Sequence, residues 1–219
     1  MSIKTALKKL ADRLFPYIPR CVVCGVEKGV ERYLCPDCAE KMETKRAGAA
    51  AAGAFAAVSA YRYDGAAAKL VRRYKYGGDK WLAAFMADAV ANACDMDGVD
   101  IICHVPLHDK RRKSRGFDQA EELAKRVSGI TGKPHISALR RVRHTKTQTK
   151  LSAAQRQENM RGAFECTLRI NGRVLLIDDV LTTGATAAEC AAVLAAAGAK
   201  AVRVATFAQA VLGQGNRSR

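Results

Sequence analysis

Two neighbouring carboxylates, Asp178 and Asp179, are followed at once by a short run of small and hydroxyl-bearing residues. They come directly after the apolar run 173–177, which predicts a strand buried on both faces of a parallel sheet. Such a strand carries its last residues to the carboxyl edge, where open α/β sheets bind ligands. Thr186 and Glu189 have the spacing of a helix capping box, and a helix N-terminus favours phosphate. We therefore predict that the two acids bind sugar hydroxyls. Beside them we predict a phosphate-binding turn made of Thr182, Thr183, Gly184, Ala185 and Thr186.

The segment 174–186 resembles the signature of type I phosphoribosyltransferases, which act on 5-phosphoribosyl-1-pyrophosphate (PRPP). The resemblance implies that Asp178 and Asp179 hold the 2′- and 3′-hydroxyls of the ribose, and that the segment 182–186 holds its 5′-phosphate. It also implies that Mg²⁺ binds together with PRPP and that the reaction proceeds by loss of pyrophosphate. The alternative is an ordinary strand-to-helix turn that begins with two acids.

A strongly basic segment lies upstream of the two acids. From Lys110 to Arg161 the chain has fifteen Lys or Arg residues and four acids, so this segment carries +11 of the net charge of +16. Such an excess favours a polyanionic ligand such as pyrophosphate or nucleic acid, and the alternative is a solvated basic face. Because guanidinium groups match phosphate oxygens, we predict a pyrophosphate site at the start of this segment. The residues predicted to contribute to it are Pro106, Leu107, Arg111 and Arg115.

Four of the eight cysteines form the pattern C-x2-C-x10-C-x2-C. Two such pairs around a short loop can place four thiolates tetrahedrally around Zn²⁺, whose binding replaces a core too small to fold alone. Four thiolates leave no open coordination position, so we predict a structural rather than a catalytic zinc. The alternatives are a redox-active pair or disulfides. The predicted ligands are Cys21, Cys24, Cys35 and Cys38.

The zinc ribbon and several motifs after it together resemble the ComF/GntX family of competence-associated, phosphoribosyltransferase-like proteins. The resemblance extends over residues 21–207, and it implies a link to DNA uptake, single-stranded DNA and the competence machinery. One departure is Asp118, where the family commonly has Asn. The matching residues are Val105-Pro106-Leu107, Arg115 to Ala120, Arg143, Thr145, Gln148, Leu151, Arg156, Asn159 and Phe164.

Two functions remain open at this stage. The first is phosphoribosyl transfer from PRPP or a nucleotide, and the second is a non-catalytic module that binds single-stranded DNA through its basic surface. Base stacking needs aromatic rings, and the basic segment has only Phe117, with Phe164 beyond it. Contacts to the phosphate backbone do not need them. Neither of the glycine-rich loops of nucleoside-triphosphate and dinucleotide enzymes occurs in the sequence.

Alternating strands and helices predict a doubly wound, mainly parallel α/β domain over residues 55–219. Residues 1–54 are predicted to hold a short helix over residues 3–14, then the zinc ribbon, and a linker that begins in the alanine-glycine stretch 47–57 and ends near residue 55. Further helices are expected at 66–75 and 81–93, separated by two glycines, with Trp81 in the core. The strand 173–177 is the one that must position the two acids.

The composition is that of an ordinary globular protein, with 49% hydrophobic and 26% charged residues in 219. No apolar stretch reaches the ~20 residues that a bilayer requires. The first twenty residues are basic and amphipathic, without an apolar centre followed by a cleavage site. We therefore predict a cytoplasmic protein without membrane insertion.

Overall fold

The computed structural model of the chain describes residues 20–27, 29–30, 33–43, 46–52, 55–108, 112–113, 115–143 and 153–210. The chain divides into two compact units, Met1–Thr44 and Lys45–Arg219. The helix predicted over residues 3–14 lies outside the described residues. Within the described ranges, no helix has the length and apolarity needed to cross a membrane.

A five-stranded sheet forms the centre of the second unit. Its strands are β1 (Arg46–Ala52), β2 (Phe55–Arg62), β3 (Ile101–His104), β6 (Gly172–Leu181) and β7 (Ala199–Gln209), while β4 (Leu139–Arg141) and β5 (Phe164–Cys166) form a separate antiparallel pair. The order across the sheet is β1-β2-β7-β6-β3, and every neighbouring pair except β1 with β2 is parallel. The strand β6 lies inside the sheet, and its residues 174–177 are buried, as expected from their unbroken apolar run.

Helices cover the parallel strands. Among the described residues of this unit the helices are α2 (Gly65–Tyr76), α3 (Leu82–Ala93), α4 (Gln119–Thr131), α5 (Ala153–Met160) and α6 (Ala185–Ala196). On α3, Phe85 packs edge-on against Phe207 of β7, with ring centroids 5.9 Å apart. On α6, Cys190 and Leu194 join a core cluster with Val174 of β6. Adjacent residues of a strand face opposite sides of the sheet, and in the register of β6 with β7 Val174 and Phe207 lie on opposite faces. Helices α6 and α3 therefore cover different faces, which confirms the predicted doubly wound, mainly parallel fold.

The stretch predicted as a linker is instead part of the sheet. Residues 46–52 form the edge strand β1, which pairs with β2 in antiparallel register from Arg46 opposite Tyr61 to Ala52 opposite Phe55. Alanine and glycine have a low intrinsic preference for strands, so the sequence carries no local strand signal there. Cross-strand pairing with β2 stabilises the extended conformation that the local sequence does not favour.

The first unit contains the four cysteines of the predicted ribbon. Its helix α1 (Pro36–Glu43) begins directly after Cys35, and the backbone N–H of Ala39 donates to the Cys35 carbonyl at 2.9 Å. Met42 on this helix is buried. A proline at the first helical position has a backbone angle suited to the helix and needs no hydrogen-bond donor there.

Candidate functional site

The two adjacent acids lie in the last part of β6, at the carboxyl edge of the parallel strands. Asp178 stands opposite Thr206 of β7, and β6 continues to Leu181. The Thr206 hydroxyl forms a buried hydrogen bond of 2.7 Å with the Ser59 hydroxyl of β2. Three parallel strands are therefore joined at the level of the acids, which fixes the backbone that carries them.

The two carboxylates have different surroundings because adjacent strand residues face opposite sides of the sheet. Asp179 is 5% exposed and forms an ion pair with Lys75, with Oδ1 and Nζ 2.8 Å apart. Asp178 is half-buried, and its Oδ1 accepts a 2.8 Å hydrogen bond from the backbone N–H of Asp179. Burial, together with the negative charge of Asp179, raises the pKa of Asp178 to about 8. The raised pKa means that Asp178 holds a proton more readily than an ordinary aspartate does, and in either state its oxygens can accept from a sugar hydroxyl.

The residues after β6 form a tight turn into α6. Gly184 precedes the helix with φ of 78°, a left-handed backbone that glycine adopts without strain, and α6 begins at Ala185. The predicted capping box is wrong, because the helix begins before Thr186 and the carboxylate of Glu189 accepts instead from the backbone N–H of Gly162 at 2.6 Å. The first turn of a helix directs backbone N–H groups out of its N-terminus, so Ala185 and Thr186 still lie where a phosphate can bind. Thr182 is exposed and Thr183 half-buried on the same turn.

The loop after β3 holds the predicted residues Pro106 and Leu107. The backbone N–H of Leu107 donates to Asp118 Oδ2 at 2.7 Å. The other oxygen of Asp118 accepts from the N–H groups of Ala120 and Glu121 at 3.1 and 3.2 Å, which caps α4. Burial raises the pKa of this carboxyl, and the N–H groups oppose that effect. Asp118 thus joins the loop to the helix with both oxygens, whereas an asparagine has only one acceptor oxygen.

Of the two arginines predicted for the pyrophosphate site, Arg111 lies outside the described residues. Arg115 donates to Gln119 Oε1 at 3.0 Å and to the Tyr76 hydroxyl at 3.1 Å. Its guanidinium also lies over the Tyr76 ring, 4.9 Å from the centroid. Arg115 is therefore held against the end of α2.

Lys75 is a residue that the sequence analysis does not single out. It lies in the last turn of α2, next to Tyr76, so the end of this helix contacts both Asp179 and Arg115. Burial opposes the charge of the Lys75 ammonium, but the carboxylate of Asp179 outweighs it and raises the lysine pKa. No local pattern connects residue 75 with residue 179, so only the packing of α2 at the carboxyl edge reveals the pair.

The basic segment is partly neutralised by its own neighbours. Arg112 and Lys113 are exposed, close in the chain to the loop that holds Pro106. Several other basic side chains of the segment, however, have an acid within ion-pair distance. These pairs are Lys125 with Glu121, Arg126 with Glu122, Arg140 with Glu165 and Arg161 with Glu158. The count of +11 already includes Glu121, Glu122 and Glu158, so of these partners only Glu165 lowers the net charge further, but fewer of the cations are left unpaired for a polyanion.

The four cysteines of the first unit come together as a candidate metal centre. Their Sγ atoms all lie within 4.8 Å of one another, and Cys24 Sγ is 3.7 Å from Cys35 Sγ. A tetrahedral Zn²⁺ with bonds of about 2.3 Å places its sulfur ligands about 3.8 Å apart, so the donor set and its spacing fit zinc. Cys21, Cys35 and Cys38 are buried and Cys24 is exposed.

Comparison with known proteins finds a matching family model, similar sequences and a similar solved structure. A family model described as the phosphoribosyl transferase domain matches residues 87–217. The chain is 33% identical over 153 residues to competence protein F of Haemophilus influenzae, a match that covers 64% of this chain and 67% of that protein. It is 32% identical over 193 residues to DNA utilization protein YhgH of Salmonella typhi, with 84% and 81% covered. A solved structure of the allosteric regulatory enzyme of purine biosynthesis is similar over 57% of this chain and 25% of its own, at 21% identity and a TM-score of 0.40.

Proposed function

The chain belongs to the phosphoribosyl transferase domain family, as a protein of the ComF type, and on that premise we propose that it binds PRPP and transfers its phosphoribosyl group in support of DNA uptake. The observation that carries the proposal is the pair Asp178 and Asp179 at the carboxyl edge of the sheet, directly before the turn into α6. The acids, which can bind sugar hydroxyls, and the helix N-terminus, which can bind phosphate, then lie at the two ends of one short segment.

In this proposal the two carboxyl groups bind the 2′- and 3′-hydroxyls of the ribose, and the segment 182–186 binds the 5′-phosphate. The loop with Pro106 and Leu107, together with Arg111 and Arg115, contacts the diphosphate. Mg²⁺ bound with PRPP neutralises part of the diphosphate charge. The surrounding oxygens, which include the carboxylates, are of the kind that this ion prefers.

The proposed reaction breaks the bond between ribose C1 and the diphosphate oxygen. The bonding electron pair leaves with pyrophosphate, and a nucleophilic atom of the acceptor forms the new bond to C1. Positive charge develops on the ribose in the transition state, and the pyrophosphate takes up the departing negative charge. The protein's contribution is therefore to position the sugar and to stabilise charge, without a protein nucleophile.

Calorimetric titration with PRPP tests the proposal directly. We expect saturable binding that requires Mg²⁺, and release of pyrophosphate when a suitable acceptor is present. A saturable PRPP isotherm without pyrophosphate release under any acceptor would support a binding module in place of an enzyme. Absence of PRPP binding with Mg²⁺ present would reject the site.

A second candidate is a module that binds single-stranded DNA through the basic segment 110–161. Its support is the exposure of Arg112 and Lys113, together with relatives named for DNA utilization. We expect weak binding without sequence preference that falls steeply with salt. Replacing Arg111 and Arg112 by Ala should make the slope of log affinity against log salt shallower by about 1.4, because each phosphate contact to a single strand contributes about 0.7. Arg140→Ala is the matched control, since Arg140 is already paired with Glu165, and an equal change in both variants would contradict the assignment.

A further inference from the structure

Three aromatic side chains, each with a cation against its ring, lie around the end of α2 and the turn into α3. We call this group the aromatic-basic surface. Two of its rings are largely open to solvent, since Tyr76 is 72% exposed and Trp81 is 49% exposed. This finding corrects the sequence prediction that Trp81 lies in the core. The members are Tyr76 with Arg115, Trp81 with Arg73, and Phe117 with Lys80.

The Trp81 end of the surface is held in place by Asp79. The indole Nε1 of Trp81 donates to Asp79 Oδ1 at 3.1 Å, and Arg73 Nε donates to Asp79 Oδ2 at 2.7 Å. The Arg73 guanidinium lies 5.5 Å from the centre of the Trp81 ring. One carboxylate therefore orients both an exposed ring and the cation beside it, so this ring is not a loosely held surface side chain.

Phe117 joins the two segments that carry the surface. Its ring packs edge-on against buried Tyr74 of α2, with centroids 5.3 Å apart, and Lys80 Nζ lies 4.9 Å from its centroid. The Tyr74 hydroxyl donates to the Gln119 carbonyl at 3.0 Å, which fixes α2 against the start of α4. The rings and cations thus stand on packed elements of one compact unit and are present before any ligand binds.

We propose that the aromatic-basic surface binds single-stranded nucleic acid by stacking bases on Tyr76 and Trp81, while the neighbouring cations contact the phosphates. Alternating rings and cations are the combination that sequence-independent single-strand binding uses. Tyr76 and Trp81 remain largely exposed beside their guanidinium groups, which leaves ring surface for a base and adds cation-π attraction. The proposal rests on the second candidate function and gives it the base contacts that the segment 110–161 does not provide.

The charge of the chain favours this occupant over an apolar protein partner. The net charge is +16, and Arg115 and Lys80 lie directly at two of the rings, while Arg73 at the third is already paired with Asp79. An apolar partner would have to cover those cations without neutralising them, which carries a desolvation cost. A polyanion that also has flat apolar bases satisfies both features of the surface.

The surface adjoins the candidate PRPP site. Tyr76 follows Lys75, whose ammonium pairs with Asp179, and Arg115 belongs to both groups of residues. A strand stacked on Tyr76 would therefore run next to the carboxyl edge of the sheet.

Trp81 is the single tryptophan of the chain, so its fluorescence reports on this surface alone. The probe is an oligo(dT) of about fifteen nucleotides, within the range that one single-strand module spans. We expect the strand to quench Trp81 fluorescence saturably, and an abasic strand of equal length to bind more weakly and quench little. Duplex DNA of the same length should quench little, because its bases are already stacked. Quenching by free dTMP equal to that by the strand would indicate a mononucleotide site and overturn the proposal.

Affinities measured by anisotropy of a labelled strand test the individual rings. Tyr76→Ala and Trp81→Ala should each weaken binding by about 5- to 100-fold with an unchanged salt slope, because stacking is lost and phosphate contacts remain. Tyr76→Phe and Trp81→Phe should retain most of the affinity. Ile130→Ala is the matched control, since Ile130 is 50% exposed on α4 and has no part in the surface.

The outcomes separate this proposal from the functions on which it builds. If the wild type binds the strand and both alanine variants bind it equally well, the aromatic-basic surface is rejected while binding by the segment 110–161 stands. No strand binding by the wild type at low salt rejects both. PRPP titration of the same variants reports on the PRPP site independently, and we expect it to be unchanged by Trp81→Ala.

Discussion

Lys75 Nζ lies 2.8 Å from Asp179 Oδ1, in an ion pair that joins the last turn of α2 to the strand carrying both candidate ligand acids. Both side chains are largely withdrawn from solvent, with 21% of Lys75 and 8% of Asp179 exposed. A buried carboxylate needs a counter-ion, and Lys75 provides it from an element more than 100 residues away in the chain. The pair places a positive charge beside the acids, on the side of the site where Arg115 also lies.

We expect Lys75→Met to weaken PRPP binding by about tenfold, which corresponds to about 1.4 kcal/mol. The variant removes a cation near the proposed diphosphate and leaves the buried Asp179 without its partner. Lys75→Arg should keep most of the affinity, because the charge remains. Lys69→Met, on the exposed side of the same helix, is the control.

Calorimetry with PRPP and Mg²⁺ measures these affinities, and thermal unfolding checks the fold. Loss of the pair should also lower the melting temperature of Lys75→Met. Affinity that is unchanged in a folded Lys75→Met protein would show that Lys75 has no part in ligand binding.

The double variant Asp178→Ala/Asp179→Ala should lose PRPP binding by at least about a hundredfold. Each hydrogen bond that involves a charged group contributes roughly 1.5–3 kcal/mol, and two hydroxyl partners are removed. Less negative charge near a pyrophosphate would favour the anion, but Mg²⁺ and the basic side chains already offset that charge. Calorimetry shows whether the affinity for PRPP falls or rises in the variant, and circular dichroism checks its folding. Equal affinity in the wild type and the variant would remove the basis of the phosphoribosyl site.

One equivalent of zinc per chain is expected in protein purified without chelator, because four Sγ atoms converge at zinc-like distances. Cys21→Ser should lose the metal and unfold the ribbon, while PRPP binding persists, since every residue of the proposed PRPP site lies in the second unit. Cys94→Ser serves as the control outside the cluster. Elemental analysis measures the metal, and less than about half an equivalent in the wild type would argue against the site.

Acid should destabilise the fold through His104, which is 5% exposed and has its Nδ1 3.0 Å from Nε2 of His135. Burial lowers the pKa of His104 from 6.5 to about 4. Between these values His104 binds a proton in the unfolded chain but not in the folded chain, so the contribution of His104 to stability decreases as pH falls from about 6.5 to 4. The maximum loss in the free energy of unfolding from this group is about 3 kcal/mol.

Urea unfolding at pH 7, 5.5 and 4.5 measures this dependence. The stability advantage of the wild type over His104→Asn should shrink by up to about 3 kcal/mol as pH falls across this interval, because groups common to both proteins cancel in the difference, including Asp178, whose raised pKa acts in the opposite direction. His108→Asn is the control. The same slope in His104→Asn as in the wild type would assign the acid sensitivity to other groups.

Local patterns in the sequence predict those features that depend on neighbouring residues. The unbroken apolar run 174–177 identifies a buried parallel strand, and it thereby places Asp178 and Asp179 at the ligand edge. The two cysteine pairs likewise predict the cluster that the structure forms, because each pair needs only a short turn and one loop to bring its thiols together. The stretch 46–52 is different, because its alanines acquire strand structure only by pairing with β2.

By itself, the sequence determined the doubly wound fold, the cysteine cluster and the segment with the two acids, since periodicity and spacing over a few residues encode them. Only the tertiary structure decided that Lys75 contacts Asp179, that Arg115 lies on Tyr76, and that Trp81 is exposed beside Arg73. These contacts depend on how α2 packs at the carboxyl edge and on which faces its neighbours leave open. That packing is the outcome of burying many apolar side chains at once, so no single local pattern in the sequence encodes it.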